Sequence, residues 1–141
     1  DDGYNKVRER FGDTTSVEAQ IRALRSLGLH AEFRQDGDGY LIEAELAAGS
    51  PVLVGWLHHG DMSRGEPPMC DSYGCGHWSV IVGFDKDNWI MHDPRGLPDL
   101  EKGGHSGRYG GKNAKISRQA FKQRWEVEGA GTGWVILVDD E

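Results

Sequence analysis

From Thr15 to Gly28 apolar residues recur at helical spacing, with Val17, Ile21 and Leu24 on one stripe and Leu27 at its end. Thr15 and Glu18 have capping-box spacing and Gly28 stops the helix. Ala31 to Phe33 reads as a short strand, Asp36-Gly37-Asp38-Gly39 as a turn, and Leu41 to Ala48 as a second helix ended by Gly49. Pro51 to Leu57 is apolar at nearly every position, which predicts a strand covered on both faces. A long polar loop, His58 to Cys75, leads to the clearest strand, His77 to Phe84. Asp85 to Asn88 is then a turn, and Trp89 to Asp93 the hairpin partner. Gly96 to Gly111 contains six glycines and reads as a loop. Ser117 caps a helix through Trp125, and Trp134 to Val138 is a closing strand. The fold class is α+β, with helices first and an antiparallel sheet after them, in one domain over residues 1–141.

Composition narrows the function without naming it. The 141 residues are 37% hydrophobic and 28% charged, ordinary for a globular domain. A net charge of −7 disfavours phosphate backbones, and the basic run from Arg108 to Arg124 is diluted with Gly and lacks interleaved aromatics, so no nucleic-acid partner is expected. No apolar run approaches the roughly 20 residues of a membrane span. Two cysteines, Cys70 and Cys75, do not make a disulfide scaffold, and secreted, virion-associated and cytoplasmic settings all fit.

Two segments carry the chemistry. Gly76-His77-Trp78-Ser79-Val80-Ile81-Val82-Gly83-Phe84-Asp85, followed by Trp89-Ile90-Met91-His92-Asp93-Pro94, resembles the bacteriocin-processing-peptidase-like (peptidase C-39-like) branch of the papain-like cysteine peptidases, of bacterial or phage type. Ser16 to Leu29 as a helix, Gly49 to Val54 entering the sheet, and a late helix with Phe121 and Trp125 extend the likeness from about Thr14 onward. The resemblance implies a papain-like fold with helices packed on an antiparallel sheet. It implies His77 as catalytic base and Asp93 as the residue that orients it. The chemistry needs such a pair, because an imidazole must take the thiol proton and a carboxylate must fix its tautomer and steady the imidazolium. Both residues must face one side of the sheet. That requires an odd-numbered loop, with Phe84 opposite Asn88, or a bulge at Gly83; Ser79 then falls opposite Asp93. Strand alternation turns His92 away from Asp93 and makes it structural. Trp78, His58, His59 and Cys75 are candidate substrate-lining residues.

The implied function is hydrolysis of peptide bonds, with a peptide or the peptide stems of peptidoglycan as substrate. Trp56, Trp78 and Trp89 around the sheet lean toward cell-wall peptide, and no cofactor is implied. The family's nucleophilic Cys opens its first helix, after an oxyanion-donating Gln, yet no Cys stands among the fourteen residues before Thr15. The expectation is therefore a domain cut short at Asp1, with the nucleophile upstream. The alternative is a catalytically inactive papain-like module that binds peptide or wall material. Cys75, two residues before His77, would lack the helix N-terminus that lowers a thiol pKa.

Three other constellations are weaker. His58, His59, Cys70, Cys75 and His77 form a soft-ligand cluster, but the long intervening loop and the position of His58-His59 at a strand end weigh against zinc, and no metal is expected. Asp36-Gly37-Asp38-Gly39 with Glu45 has partial EF-hand spacing with Arg34 at its first position, so it reads as an acidic cap. Gly103-Gly104-His105-Ser106-Gly107 lacks the strand and helix of a phosphate cradle, and reads as a mobile loop beside the site.

Overall fold

The computed structural model describes residues 17–69 and 77–140. In chain order the elements are α1 (Val17–Ser26), β1 (Leu29–Gly37), α2 (Gly39–Ala47), β2 (Val52–Trp56), a 3-10 turn (Met62–Arg64), β3 (His77–Phe84), β4 (Asn88–His92), β5 (Ala114–Ser117), α3 (Arg118–Trp125) and β6 (Gly133–Asp140). The six strands form one antiparallel sheet in the order β1-β6-β2-β3-β4-β5. The α+β class is as the sequence predicts, and so is a strand between the first two helices. β1 lies between two helices and travels to the far edge to pair with the last strand.

Both faces of the sheet are covered, and this explains the composition of β2. On one face Val52, Val54 and Trp56 pack with Ile81, Met91 and Val135, beneath Ile42 of α2 and Phe121 and Trp125 of α3. On the other, Leu53, Trp78 and Ile136 pack with Ala31 beneath Leu24 of α1, flanked by Val17 and Ile21. An antiparallel sheet with one wet face alternates apolar and polar residues; with two dry faces it reads as a continuous apolar run. Val52-Leu53-Val54-Gly55-Trp56 is buried throughout. Gly55 has a packing reason, since a Cβ there would lie 3.0 Å from the Trp78 ring on its pairing partner.

Local chemistry sets the helix boundaries. Asp38 is the N-cap of α2, its Oδ1 accepting from the Leu41 amide at 2.9 Å, so the helix starts earlier than the apolar pattern alone predicts. Asp36 is held by Arg34 at 2.7 Å, which accounts for the acidic turn without a calcium loop. Ser117 caps α3 through the Ala120 amide. Gly28 follows α1 in a left-handed conformation (φ +82°) that favours glycine. Thr15, of the expected capping box, lies outside the described residues. β1 runs well beyond Ala31–Phe33 because β6 offers it a partner along its length. β5, unforeseen in the sequence, is a four-residue edge strand that turns Ala114 and Ile116 inward.

Candidate functional site

A bulge in β3 sets the geometry. Near the hairpin, Phe84 pairs with Trp89 and Gly83 with Ile90; farther on, Ile81 pairs with Met91 and Val80 with His92. Val82 is the extra residue. Continued without it, the first register would set Asp93 opposite Val80, on the Trp78 face. The bulge moves Asp93 opposite Ser79, on the face of His77, as the parity argument requires. His77 Nε2 then lies 2.8 Å from Asp93 Oδ2, and the two side chains are 5% and 0% exposed.

The carboxylate of Asp93 is held from several directions. Oδ2 also accepts from the Ser79 hydroxyl at 2.8 Å, and Ser79 Oγ in turn accepts from Trp56 Nε1 at 3.0 Å. Oδ1 accepts from the Arg95 amide at 2.9 Å. The main chain is pinned as well, because the Asp93 amide donates to the Gly111 carbonyl. A Cβ on Gly111 would come within 2.2 Å of the Asp93 carbonyl oxygen, so only glycine allows that approach. His105 Nε2 sits 3.1 Å from Oδ1, off hydrogen-bond geometry, as a close electrostatic contact.

Four of the six histidines gather here. The His77 ring centroid is 4.9 Å from that of His58 and 5.0 Å from that of His105, and His58 is 4.1 Å from His59. Two loops bring them together. The segment after β2 carries His58 and His59, and the glycine-rich loop carries His105. Arg124 of α3, fully buried, clamps both loops. Its guanidinium donates to the carbonyls of His59 (2.8 Å), Gly60 (2.7 Å) and Leu57 (3.3 Å) on one loop, and of Leu100 (2.7 Å) and Glu101 (3.2 Å) on the other. Gly103 has φ +85°, and a Cβ there would meet the Gly60 carbonyl at 2.9 Å, so the two main chains touch only because it is glycine.

Burial and charge assign protonation states. Burial pushes the Asp93 pKa upward, but the contacts from His105 and His77 outweigh it and hold the carboxyl below the usual range, so Asp93 is ionised. Burial lowers the His77 pKa against the opposing pull of Asp93, leaving a neutral imidazole. Burial, with the neighbouring His77, His59 and His105, lowers His58 to about 3.

Not every candidate residue joins this cluster. Trp78, expected as substrate-lining, is 4% exposed on the opposite face, packed under α1, and is corrected to a core residue. His58 adjoins His77, and His59 adjoins His58. Cys75 and Cys70 lie outside the described residues. His92 Nδ1 accepts from the Asn113 amide, a structural contact. Ser79, His105 and Arg124 were not singled out for the site by sequence; His105 figured only within the glycine-rich loop. That loop is internally bonded, Asp99 to Gly104 and Ser106 to Leu97, with Pro98 bridging His105. A cleft of about 600 Å³, which includes Trp89, Arg118 and Lys122, shares no residue with the cluster. Among the described residues no helix is long and apolar enough to cross a membrane.

No protein-family model and no curated protein sequence matches the chain. A solved structure does: the peptidase domain of Streptococcus ComA, a bi-functional ABC transporter involved in a quorum sensing pathway. The match has a TM-score of 0.57 at 15% identity, covering 98% of this chain and 76% of that one. At that identity the likeness is one of fold alone, an α+β domain with helices packed on an antiparallel sheet as in that peptidase domain.

Proposed function

We propose that this domain is a cysteine peptidase-type hydrolase in which His77 is the general base and Asp93 orients it. The observation that carries the reading is the buried His77–Asp93 contact of 2.8 Å, supported from behind by Ser79 and Trp56. With Nε2 engaged by Asp93, the nitrogen left to take a thiol proton is Nδ1. A buried neutral imidazole is the correct resting state for a base, and a thiolate beside it would stabilise the imidazolium once formed. The imidazolium then returns its proton to the leaving amine, and water releases the acyl group from sulfur. Asp93, ionised throughout, fixes the tautomer that makes Nδ1 the acceptor.

The nucleophile in this reading is a cysteine N-terminal to Asp1, as the resemblance carried by Gly76-His77-Trp78 and His92-Asp93-Pro94 implies. The substrate is a peptide, with the peptide stems of cell wall the favoured class. The test is the N-terminally extended chain incubated with peptidoglycan and with unstructured peptides, read by mass spectrometry of released fragments. Cleavage that is abolished by thiol alkylation and by His77→Ala is the expected result. Cleavage that survives His77→Ala would overturn the assignment, and binding without cleavage by the extended chain would favour an inactive module.

A further inference from the structure

His77, Asp93 and His105 each offer a ligand atom, and the three atoms lie within 4.8 Å of one another. A base and its orienter do not account for all that is buried here. His105, its side chain 10% exposed, has an Nε2 with no hydrogen-bond partner among the described residues, although it lies 3.1 Å from Asp93 Oδ1. His58 Nδ1, on a ring adjoining both, is likewise buried without a hydrogen bond. A buried polar nitrogen left unpaired is costly, and a cation held by His77, Asp93 and His105 relieves that of His105.

We propose that His77, Asp93 and His105 bind a divalent ion of the zinc class, with the His58 ring beside them. Two imidazoles and one carboxylate suit zinc or its neighbours, whereas calcium and magnesium demand oxygen ligands throughout. Donors around a tetrahedral zinc, with bonds of about 2.0–2.1 Å, stand roughly 3.3 Å apart. Asp93 Oδ2 lies 2.8 Å from His77 Nε2 and Oδ1 lies 3.1 Å from His105 Nε2, so the carboxylate stands between the two imidazoles with one oxygen toward each. The two imidazoles close around the ion by a shift of the His105 loop. The carboxylate is oriented from outside by Ser79 and the Arg95 amide, the support that metal-binding carboxylates characteristically receive. The ion takes the lone pair of His77 Nε2, so the ring proton resides on Nδ1 while the metal is bound. Binding does not depend on the peptidase reading; its consequence does. On that reading a metallated His77 cannot accept a thiol proton, and the ion is an inhibitor.

The experiment uses untagged protein carrying Cys70→Ser and Cys75→Ser, so that no thiol of this chain can supply the site. Zn2+ is titrated by calorimetry, and Co2+ by the visible absorption of a low-symmetry nitrogen–oxygen site. The expected result is one ion per chain, weakened more than about 10-fold by His105→Gln, since even outer partners of metal ligands cost that much. His92→Gln should bind as the parent does, and thermal melts establish that each variant is folded. Absence of binding in the cysteine-free protein, or equal affinity in His105→Gln, overturns the proposal. No activity is measured, so failure of the peptidase reading leaves this outcome untouched.

Discussion

Arg124→Met should destabilise the domain by about 3–5 kcal/mol, although the substitution removes no ion pair of short range. The guanidinium is wholly buried and serves five main-chain carbonyls, three at 2.7–2.8 Å and two at 3.2–3.3 Å. Burial lowers its pKa, and Asp99 and Asp61 oppose that shift from a distance, but guanidinium stays protonated in proteins. Methionine fills much of the stem's volume and supplies no donor. Each hydrogen bond to a charged group contributes about 1.5–3 kcal/mol when well formed, and each orphaned carbonyl is costly unless water reaches it. Three short bonds alone give about 4.5 kcal/mol; the two long ones add little, and partial hydration of the exposed Glu101 end subtracts some. For a chain of this length, about 3–4 °C of melting temperature accompany each kcal/mol, so a drop of roughly 10–20 °C is expected in a circular-dichroism melt.

A second readout separates this role from simple core packing. Arg124 joins the His58–Gly60 segment to the Leu100–Glu101 segment, alongside the main-chain bonds from Met62 to Glu101 and from Gly104 to His58, so its loss should loosen His105 from His77 as well as lower stability. Imidazole NMR signals of His58, His77 and His105 should shift together in Arg124→Met well below its melting point, while that of His92, bonded to the Asn113 amide, stays in place. Arg124→Lys, with one charged donor group in place of a fork, should recover only part of the loss. A melting temperature within 3 °C of the parent, or unchanged site histidine signals, would refute the clamp.

On the peptidase reading, Asp93→Asn in the N-terminally extended chain should lower kcat by about 10³–10⁴ through the wrong imidazole tautomer, measured as the rate of peptide release; activity within 10-fold of the parent would sink the orienting role. Ser79→Ala leaves Trp56 Nε1 without its acceptor and Asp93 short of one donor, and should cost about 1–3 kcal/mol in denaturant unfolding; a neutral result would mean that neither bond contributes. His58 has a folded pKa of about 3, below its ordinary value of 6.5, so the unfolded chain takes up its proton first. Its contribution is full above about pH 6.5 and falls by about 1.4 kcal/mol per pH unit as pH drops toward 3. Asp93, also lowered, adds to the loss only below about pH 3.9. With EDTA present, His58→Phe should flatten the slope between pH 6 and 4; the same slope in both proteins would count against it.

The legible parts of the molecule are those whose cause is local. Helical spacing and a stop glycine delimit α1, a serine cap delimits α3, and the apolar run of β2 declares a sheet covered on both faces. Parity left two ways for His77 and Asp93 to share a face, an odd-numbered loop or a bulge at Gly83; the strand takes the bulge, one residue earlier, at Val82. What stayed hidden has its cause elsewhere in the chain. β1 is long because β6 lies beside it, more than a hundred residues on. β5 is a strand only because Met91 and Trp89 present an edge to it.

The same distinction separates His77 from His105. His77 sits in a strand whose context ties it to Asp93 sixteen residues later, so hairpin geometry alone predicts the contact. His105 lies among glycines, with no periodicity to say which way it faces. Its place is determined by Gly103, which lets two main chains touch, and by Arg124, whose side chain looks in sequence like one more cation on a basic helix. The arginine is informative only when its acceptors are known, and they come from two loops about 20 and 65 positions away. A site built by tertiary clamping is thus less legible than one built on a hairpin. The His77–Asp93 pair is set by two adjacent strands of the sheet, whereas the loop bearing His105 is set by contacts between distant segments: the Arg124 guanidinium, the close approach at Gly103, and the main-chain bonds from Gly104 to His58 and from Met62 to Glu101.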